Sequence, residues 1–340
     1  PQSMDPSPAD RDPPSRLRGS WILKQILGRA LLPHHVVRWI RRRRSHRRVP
    51  TVHANAQLLL YNRMLPGDFL HYGYFDDPAT RPEEVSFNAV HRAQLRYAEK
   101  LLERIDRPGQ PVLDAGSGMG GMLDLLRTAG CEVTGLTPDR FQVEYIGRNH
   151  PGIPVLHCRF EDMLADVAPH WFRGHFGTVI HSESIQYMQP RGVFAVMREI
   201  LAPGGTWIVA DYFRDGGAGD GQPAAEGPRP APRERSGWRL DRFRTQLADN
   251  EFEITHETDI TANVLPTLGF AHLLASRIGL PAVDFAVDKL RAKRPALHYV
   301  VENVAERVRA AARKSTAVVD PAGFAAHKRY LLMTIRRTDR

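Results

Sequence analysis

The sequence predicts an α/β protein whose core is a doubly wound, mostly parallel sheet. Short apolar segments typical of buried strands alternate with amphipathic segments of about 10–15 residues that are typical of helices. Most of the apolar segments end in polar residues, which in such a sheet gather at the carboxyl edge where ligands bind. The chain has 340 residues and is 42% hydrophobic, which is enough to bury the core of one large domain.

The first predicted strand end lies in the stretch Pro111 to Gly121, PVLDAGSGMGG. A short apolar run leads to Asp114, and Gly116, Gly118 and Gly120 follow at alternate positions before a leucine-rich helical pattern. A strand, a glycine turn and a helix in this order let a ligand lie against bare backbone at a helix N-terminus. The spacing is not G-x-G-x-x-G, and an acid ahead of the turn suits a cofactor with a cationic amino group. An ordinary tight turn is the alternative.

Six further segments are predicted as strands, and several of them also end in polar or charged residues. They are 131–137, 153–158, 176–184, 204–213, 252–260 and 328–337. The polar groups expected at the carboxyl edge, besides Asp114, are Thr137, Glu161, Asp162, His181 to Ser184, and Asp211. A polar cluster at nearly every strand end is hard to explain by packing alone, so we expect a ligand site at this edge.

The domain organisation predicted from composition has four parts. They are a basic arm with helices (1–65), an α/β core (66–261), a helical cap (262–326) and a last core strand (327–340). Within the core, the glycine and proline density of residues 214–237 predicts a flexible loop. An insertion of the size of the cap, beside the strand ends, would cover a substrate pocket. Its apolar residues could form the core of the cap or line that pocket.

The net positive charge of the chain lies in the arm. Residues 1–50 hold 12 Lys and Arg against 3 Asp and Glu, and the remaining residues hold 35 of each sign. A nucleic-acid enzyme would more often carry basic residues across its working face, so the distribution argues against RNA or DNA as substrate.

The arm combines an apolar helical pattern with an arginine run. Residues 18–48 include Trp21 and Trp39 and end in the run Arg41 to Arg48. Tryptophan and aliphatic residues beside a basic cluster suit a peripheral membrane contact. A helix packed over the core, followed by a solvated basic run, explains the same pattern. Both interpretations stay open from the sequence.

Cysteine usage and hydropathy predict a cytoplasmic protein, with peripheral membrane association as an option. Cys131 and Cys158 have neither metal-binding nor disulfide spacing, which favours a reducing compartment and predicts no metal site. We expect no apolar run long enough to span a membrane, and we identify no signal-peptide pattern.

Several motifs together carry a family resemblance. They are LDAGSGMGG, GLTPDRFQ, RFEDM, HSESIQYM and LHYGYFDD. The run from about Leu70 to Ile260 resembles class I S-adenosylmethionine-dependent methyltransferases. It is most similar to the branch with tocopherol and sterol methyltransferases and cyclopropane fatty acid synthases. The resemblance implies a Rossmann-like sheet, S-adenosylmethionine as cofactor, and a last strand that pairs antiparallel at the sheet edge.

The resemblance also implies roles for individual residues. In the family, Gln142 would help to hold the ribose, Phe160 would lie against the adenine ring, and Tyr72 would touch the methionine end. The implied cofactor-binding set is Tyr72, Asp114, Ala115, Gly116, Gly118, Thr137, Gln142, Phe160, Glu161, Asp162 and His181.

One departure from the family bears on the reaction. Cyclopropane synthases carry Glu-His in the fourth-strand motif, where this chain has Gln186 and Tyr187. The difference favours plain methyl transfer to a small, lipophilic acceptor. Cyclopropane-type lipid modification and a nucleic-acid methyltransferase that uses the basic arm remain the alternatives.

A base is needed only if the acceptor must lose a proton. The catalytic candidates are Glu183 first, Tyr187 second, and His181, with His71 on the opposite loop. A structural or cofactor-positioning role is the alternative for each of them.

Overall fold

The computed structural model of the protein describes residues 63–107, 109–166, 172–215 and 236–338. The predicted basic arm up to residue 62, and the predicted loop at 214–237 except for its ends, lie outside the described residues.

The described strands form one eight-stranded sheet. In chain order they are β1 (Val112–Ala115), β2 (Val133–Leu136), β3 (Val155–Leu156), β4 (Phe176–Ser182), β5 (Leu201–Arg214), β6 (Trp238–Arg239), β7 (Phe252–Asp259) and β8 (Lys328–Arg337). Their spatial order is β3-β2-β1-β4-β5-β8-β7, with the short β6 paired to β5. Every pair among β1 to β6 is parallel, and β8 runs antiparallel to both of its neighbours. The predicted fold class, a doubly wound and mostly parallel sheet, is confirmed.

The position of β8 corrects one expectation. The strand pairs antiparallel, as predicted, but it lies between β5 and β7 instead of at the sheet edge. The side chains from Tyr330 to Ile335 are all buried, so both faces of β8 need cover and both of its edges are paired. Most of β7 is exposed, which suits a strand that has only one neighbour.

Helices cover the sheet and follow the strands. They are α1 (Phe87–Leu102), α2 (Gly121–Thr128), α3 (Arg140–Asn149), α4 (Met163–Asp166), α5 (Pro190–Ile200), α6 (Leu240–Asp249), α7 (Thr261–Leu274), α8 (Leu280–Lys293), α9 (Pro295–Val318) and α10 (Pro321–His327). Ser86 accepts a hydrogen bond from the Ala89 amide at the start of α1, and Asp139 caps α3 in the same way.

Two apolar clusters fill the space on the two faces of the sheet. One contains Trp207 and Phe160, and the other contains Tyr97 and Tyr330. The second cluster therefore joins α1 to the last strand, although these elements are far apart in sequence. Both clusters end at the carboxyl edge of the parallel strands.

The segment between β7 and β8 is helical, from α7 to α10. A π-helical turn, Ala275–Gly279, joins α7 to α8, so that Thr261–Lys293 forms one continuous helical stretch. This stretch is long and apolar enough to span a membrane by length and composition, which corrects the expectation that no such run exists. Arg277 and Asp284 interrupt the apolar residues of this stretch, so the sequence shows no continuous apolar run there. Length and composition alone do not place the helix in a membrane.

Candidate functional site

The glycine loop after β1 sits against the end of β4. Gly116 has φ +101°, and a Cβ atom there would meet Cβ of Ser184 at 2.4 Å. The Ser184 hydroxyl donates a hydrogen bond of 2.6 Å to the carbonyl oxygen of Ala115. Only glycine fits this backbone conformation and this close approach without strain. The loop and the fourth strand therefore form one surface, with Gly118 held in turn against Leu70 of the preceding segment.

Asp114 presents an unsatisfied carboxyl at the head of this loop. The residue is 2% exposed, and among the described residues its Oδ2 atom has no hydrogen-bond partner. Burial raises the pKa of Asp114 to about 7. A buried polar atom without a partner is uncommon in a folded protein and calls for an explanation. A ligand with a cationic amino group would supply the missing donor, so Asp114 fits the amino-acid end of S-adenosylmethionine.

The end of β2 brings Thr137 and Gln142 together. The Thr137 hydroxyl donates to Oε1 of Gln142 at 2.5 Å, and it accepts from the Asp139 amide at 3.2 Å. Asp139 itself accepts from the Phe141 amide as the cap of α3, so its Oδ1 is engaged. Thr137 and Gln142 of the GLTPDRFQ motif thus form a hydrogen-bonded pair at the carboxyl edge. This arrangement is compatible with the ribose-binding role that the resemblance implies.

The end of β3 carries the residues predicted to lie near adenine. The Phe160 ring is 1% exposed and packs in the core, and the His181 ring meets it at a centroid distance of 4.7 Å and an interplanar angle of 81°. Stacking of Phe160 on the adenine ring stays a prediction. Glu161 accepts from the Gln189 amide at 2.8 Å and from Arg159 at 3.1 Å, whereas Asp162 is exposed. Glu161 therefore ties this turn to the start of α5.

Because the Phe160 ring belongs to the core, we expect Phe160→Ala to act mainly on stability. Truncating a buried phenylalanine typically costs about 3–5 kcal/mol through the cavity that remains. Chemical denaturation of the variant should show a loss of this size. Calorimetry with S-adenosylmethionine at a temperature where the variant stays folded should show a much smaller change. A stable Phe160→Ala variant with strongly weakened cofactor binding would instead support stacking of Phe160 on the adenine ring.

The two histidines offered as bases are both buried. His181 accepts at Nδ1 from the Trp207 indole at 3.0 Å, and burial lowers the pKa of His181 to about 3. His71 donates from Nδ1 to the Tyr72 carbonyl at 2.8 Å and stacks on Tyr97 at 4.2 Å. Burial lowers the pKa of His71 to about 4. Neutral rings fixed in this way are suited to positioning neighbouring groups more than to taking up a proton.

Glu183 occupies a strained position just past β4. Its φ is +48°, which is uncommon for a residue with a side chain and often marks a functional site. Its Oε1 atom accepts from the Tyr72 amide at 2.7 Å and from the Tyr330 hydroxyl at 2.9 Å. Burial raises the pKa of Glu183 to about 7, against the opposing effect of these two hydrogen bonds. A carboxyl with a pKa near neutrality is a good general base.

The hydrogen bonds of Glu183 continue into the interior. The Tyr330 hydroxyl lies 2.8 Å from the Tyr97 hydroxyl, which in turn lies 3.2 Å from the Ala210 carbonyl and 3.1 Å from Ser182 Oγ. Tyr97 and Tyr330 are both fully buried. The chain Glu183–Tyr330–Tyr97 therefore connects the strand end to α1 and β8.

A group of aromatic rings adjoins Tyr330, whose hydroxyl donates to the Glu183 carboxyl. The Tyr72 ring lies 6.1 Å from the Tyr330 ring and 6.2 Å from the Phe324 ring, and Tyr212 lies 5.6 Å from Phe324. We call these four residues the aromatic wall. The Tyr72 amide donates to Glu183 and its ring joins the wall, and contact of Tyr72 with the methionine end of the cofactor stays a prediction.

Tyr187, the remaining catalytic candidate, lies at the protein surface. Tyr187 is 72% exposed, in the turn Ile185–Tyr187 that follows Glu183. Asp211, which is fully buried, accepts from the Gln186 amide at 3.3 Å and so holds this turn to β5. Among the described hydrogen bonds, none joins the Tyr187 side chain to Glu183.

Comparison with known proteins identifies the family of the central part of the chain. Residues 89–257 match the family described as "Methyltransferase domain". Phosphoethanolamine N-methyltransferase 1 of Zea mays is 24% identical over 181 residues, which cover 52% of this chain and 31% of that protein. The chain thus spans about a third of the length of this relative.

Solved structures share the fold. A geranyl diphosphate C-methyltransferase from Streptomyces coelicolor, solved with Mg²⁺, geranyl diphosphate and S-adenosyl-L-homocysteine, aligns with a TM-score of 0.53 and 18% identity. The alignment covers 84% of this chain and 95% of that one. A cyclopropane synthase from Mycobacterium tuberculosis aligns with a TM-score of 0.52 and 14% identity, covering 81% and 93%. The family match assigns residues 89–257, about half of the chain, to the methyltransferase domain family.

Proposed function

We propose that the protein transfers a methyl group from S-adenosylmethionine to a small, lipophilic acceptor and uses Glu183 as its base. The observation that carries the proposal is the position of the Glu183 carboxyl. It is partly buried next to the glycine loop, has a pKa near 7, and borders the aromatic wall. The lipophilic character of the acceptor is inferred from this wall, because aromatic rings offer apolar contact area next to the reacting group.

When bound, S-adenosylmethionine supplies an electrophilic methyl group on a sulfonium. Asp114 would hold its amino group, the backbone at Gly116 would lie against it, and Thr137 with Gln142 would hold its ribose. The chain's further tasks are to align the acceptor with the methyl group and to exclude water.

The proton of the acceptor would move to Glu183. With the carboxylate ionised, Tyr97 can donate to Tyr330 and Tyr330 to Glu183. With the carboxyl protonated, Glu183 can donate to Tyr330, Tyr330 to Tyr97, and Tyr97 to the Ala210 carbonyl. Each arrangement uses every hydroxyl proton once over the same distances. The network can therefore stabilise both protonation states, as a base that cycles between them requires.

The reaction class can be tested with labelled cofactor. S-adenosylmethionine with a tritiated methyl group should label a molecule in the organic phase of a lipid extract incubated with the protein. RNA in a parallel incubation should stay unlabelled. Label in RNA alone would favour the nucleic-acid alternative, and a product with a new ring would favour the cyclopropane alternative.

The basic arm would place the enzyme at the source of such an acceptor. Basic residues near an anionic membrane contribute about 1 kcal/mol each, and an apolar helix face adds burial. We therefore propose a cytoplasmic protein with peripheral membrane contact through residues 18–48. The full-length protein should float with anionic vesicles at low salt, and a variant that begins at Thr51 should float less. Equal flotation of the two proteins would argue for an arm that packs on the core.

A further inference from the structure

The helices α8 and α9 form an antiparallel hairpin. Residues Arg309 of α9 and Asp284 and Asp288 of α8 meet across it, with N–O distances of 3.0 Å and 2.7 Å. Val287 and Ala305 are buried. The rest of the hairpin is largely exposed, and an 18-residue apolar stretch within Thr261–Lys293 is only 11% buried. The hairpin therefore presents more apolar surface than its own packing uses.

Several large apolar side chains in this part of the protein are exposed to solvent. Six of them are between 48% and 79% exposed: Ile278, Phe285, Tyr299, Val300, Val304 and Val308. Val300, Val304 and Val308 are spaced by four residues and so lie on one side of α9. Large apolar side chains exposed along one side of a helix are a common feature of interaction sites. We call these six residues the outer face.

The charge next to the outer face is positive. Residues 289–294, KLRAKR, form the end of α8 and the residue before α9. They hold four basic residues, and no acid occurs from 289 to 301. We call this segment the basic tip. Three nearby acids, Asp284, Asp288 and Glu306, pair with Arg309. Over residues 280–318 the sequence holds eight Lys and Arg against four Asp and Glu, so the hairpin keeps a net positive charge. The Lys289 ammonium lies 5.2 Å from the Phe285 ring, so a basic group borders an exposed aromatic one.

We propose that the hairpin docks on the surface of an anionic lipid bilayer. The outer face would enter the interfacial region and the basic tip would meet the lipid headgroups. Tyrosine and phenylalanine favour this region, and lysine and arginine beside an apolar helix face are typical of interfacial helices. A second copy of this chain could also cover an apolar face, but it would bring a second basic tip to the contact. The charge pattern therefore favours the bilayer. The inference does not depend on which acceptor is methylated.

The test compares full-length variants in vesicle sedimentation. Vesicles of phosphatidylglycerol and phosphatidylcholine should bind the wild-type protein more strongly than pure phosphatidylcholine vesicles do. The combined variant Lys289→Gln, Arg291→Gln, Lys293→Gln and Arg294→Gln should lose about fivefold in partitioning for each residue changed. A matched control changes four exposed arginines elsewhere, Arg92, Arg148, Arg173 and Arg242, to glutamine. Since every variant keeps the basic arm, a selective loss would come from the hairpin.

A probe on the outer face gives a second readout. Both native cysteines are buried, so an environment-sensitive dye can be attached at Val300→Cys. Its emission should shift to the blue when anionic vesicles are added, and stay unchanged with the tip variant. No shift, or equal sedimentation of the tip variant and the control, would overturn the proposal. The proposal would also be overturned by a hairpin variant that binds vesicles like the wild-type protein but has a lower molecular mass in vesicle-free solution. This result would assign the outer face to contact with a second copy of the chain.

Discussion

Replacing Gly116 by valine is expected to abolish S-adenosylmethionine binding, with a loss of at least about 100-fold in affinity. A Cβ atom at this position would meet Ser184 at 2.4 Å, and φ is +101°, a backbone conformation that valine rarely adopts. The loop would have to move away from the end of β4. This movement would disrupt the backbone surface on which we expect the cofactor to bind. A 100-fold loss corresponds to about 2.8 kcal/mol, which calorimetry resolves easily.

Gly130 provides the matched control for this prediction. Its φ is +87°, and a Cβ atom there meets nothing within 4 Å. Gly130→Val should therefore carry the backbone strain without touching the site, and should bind the cofactor as the wild-type protein does. If Gly116→Val fails to fold, Asp114→Asn tests the same loop by removing the charge that faces the cofactor's amino group. Wild-type affinity in the folded Gly116 or Asp114 variant would contradict the assignment of the loop.

The parts of the site that the sequence predicted are local. Asp114 and Gly116 lie in one turn, and Thr137 and Gln142 are five residues apart, so strand and helix periodicity are enough to bring each pair together. Glu183 could be predicted as well, because it follows an apolar strand in a recognisable motif.

The parts that the sequence did not predict depend on long-range contacts. Tyr330 lies 147 residues from Glu183 and Tyr97 lies 233 residues from Tyr330, so no local pattern links them. The place of β8 between two strands was missed for the same reason. Its signal was the unbroken run of apolar residues, which needs cover on both faces. The burial of the Phe160 ring was also missed, because a motif gives a residue's position along the chain but not the burial of its side chain.

Glu183→Gln is expected to lower kcat by about 10² to 10⁴, the usual contribution of a general base. Glutamine keeps the shape of the side chain and can still accept from the Tyr72 amide and the Tyr330 hydroxyl. Affinity for S-adenosylmethionine should therefore change little. A variant that keeps more than about a tenth of the wild-type kcat would show that the acceptor loses its proton without help from this residue.

The pH dependence of the wild-type rate tests the same role. The base must be ionised to accept a proton, so kcat should rise with pH and level off above the pKa of Glu183, about 7. Glu183→Gln should lose this rise. A flat wild-type profile through neutral pH would argue against Glu183 as the base, or would show that a step other than proton transfer limits the rate.

Tyr330→Phe tests whether the Tyr330 hydroxyl tunes the pKa of Glu183 or only stabilises the fold. Removing the hydroxyl takes away a donor to the ionised carboxylate, which should raise the pKa of Glu183 further and move the midpoint of the pH profile upward. Activity should then recover in part at alkaline pH, which a merely misfolded site would not show. Tyr212→Phe is the matched control, because Tyr212 belongs to the aromatic wall but its described hydrogen bond goes to Ser236, not to Glu183. Its profile should keep the wild-type midpoint, and equal midpoints in all three proteins would mean that the Tyr330 hydroxyl does not tune the base.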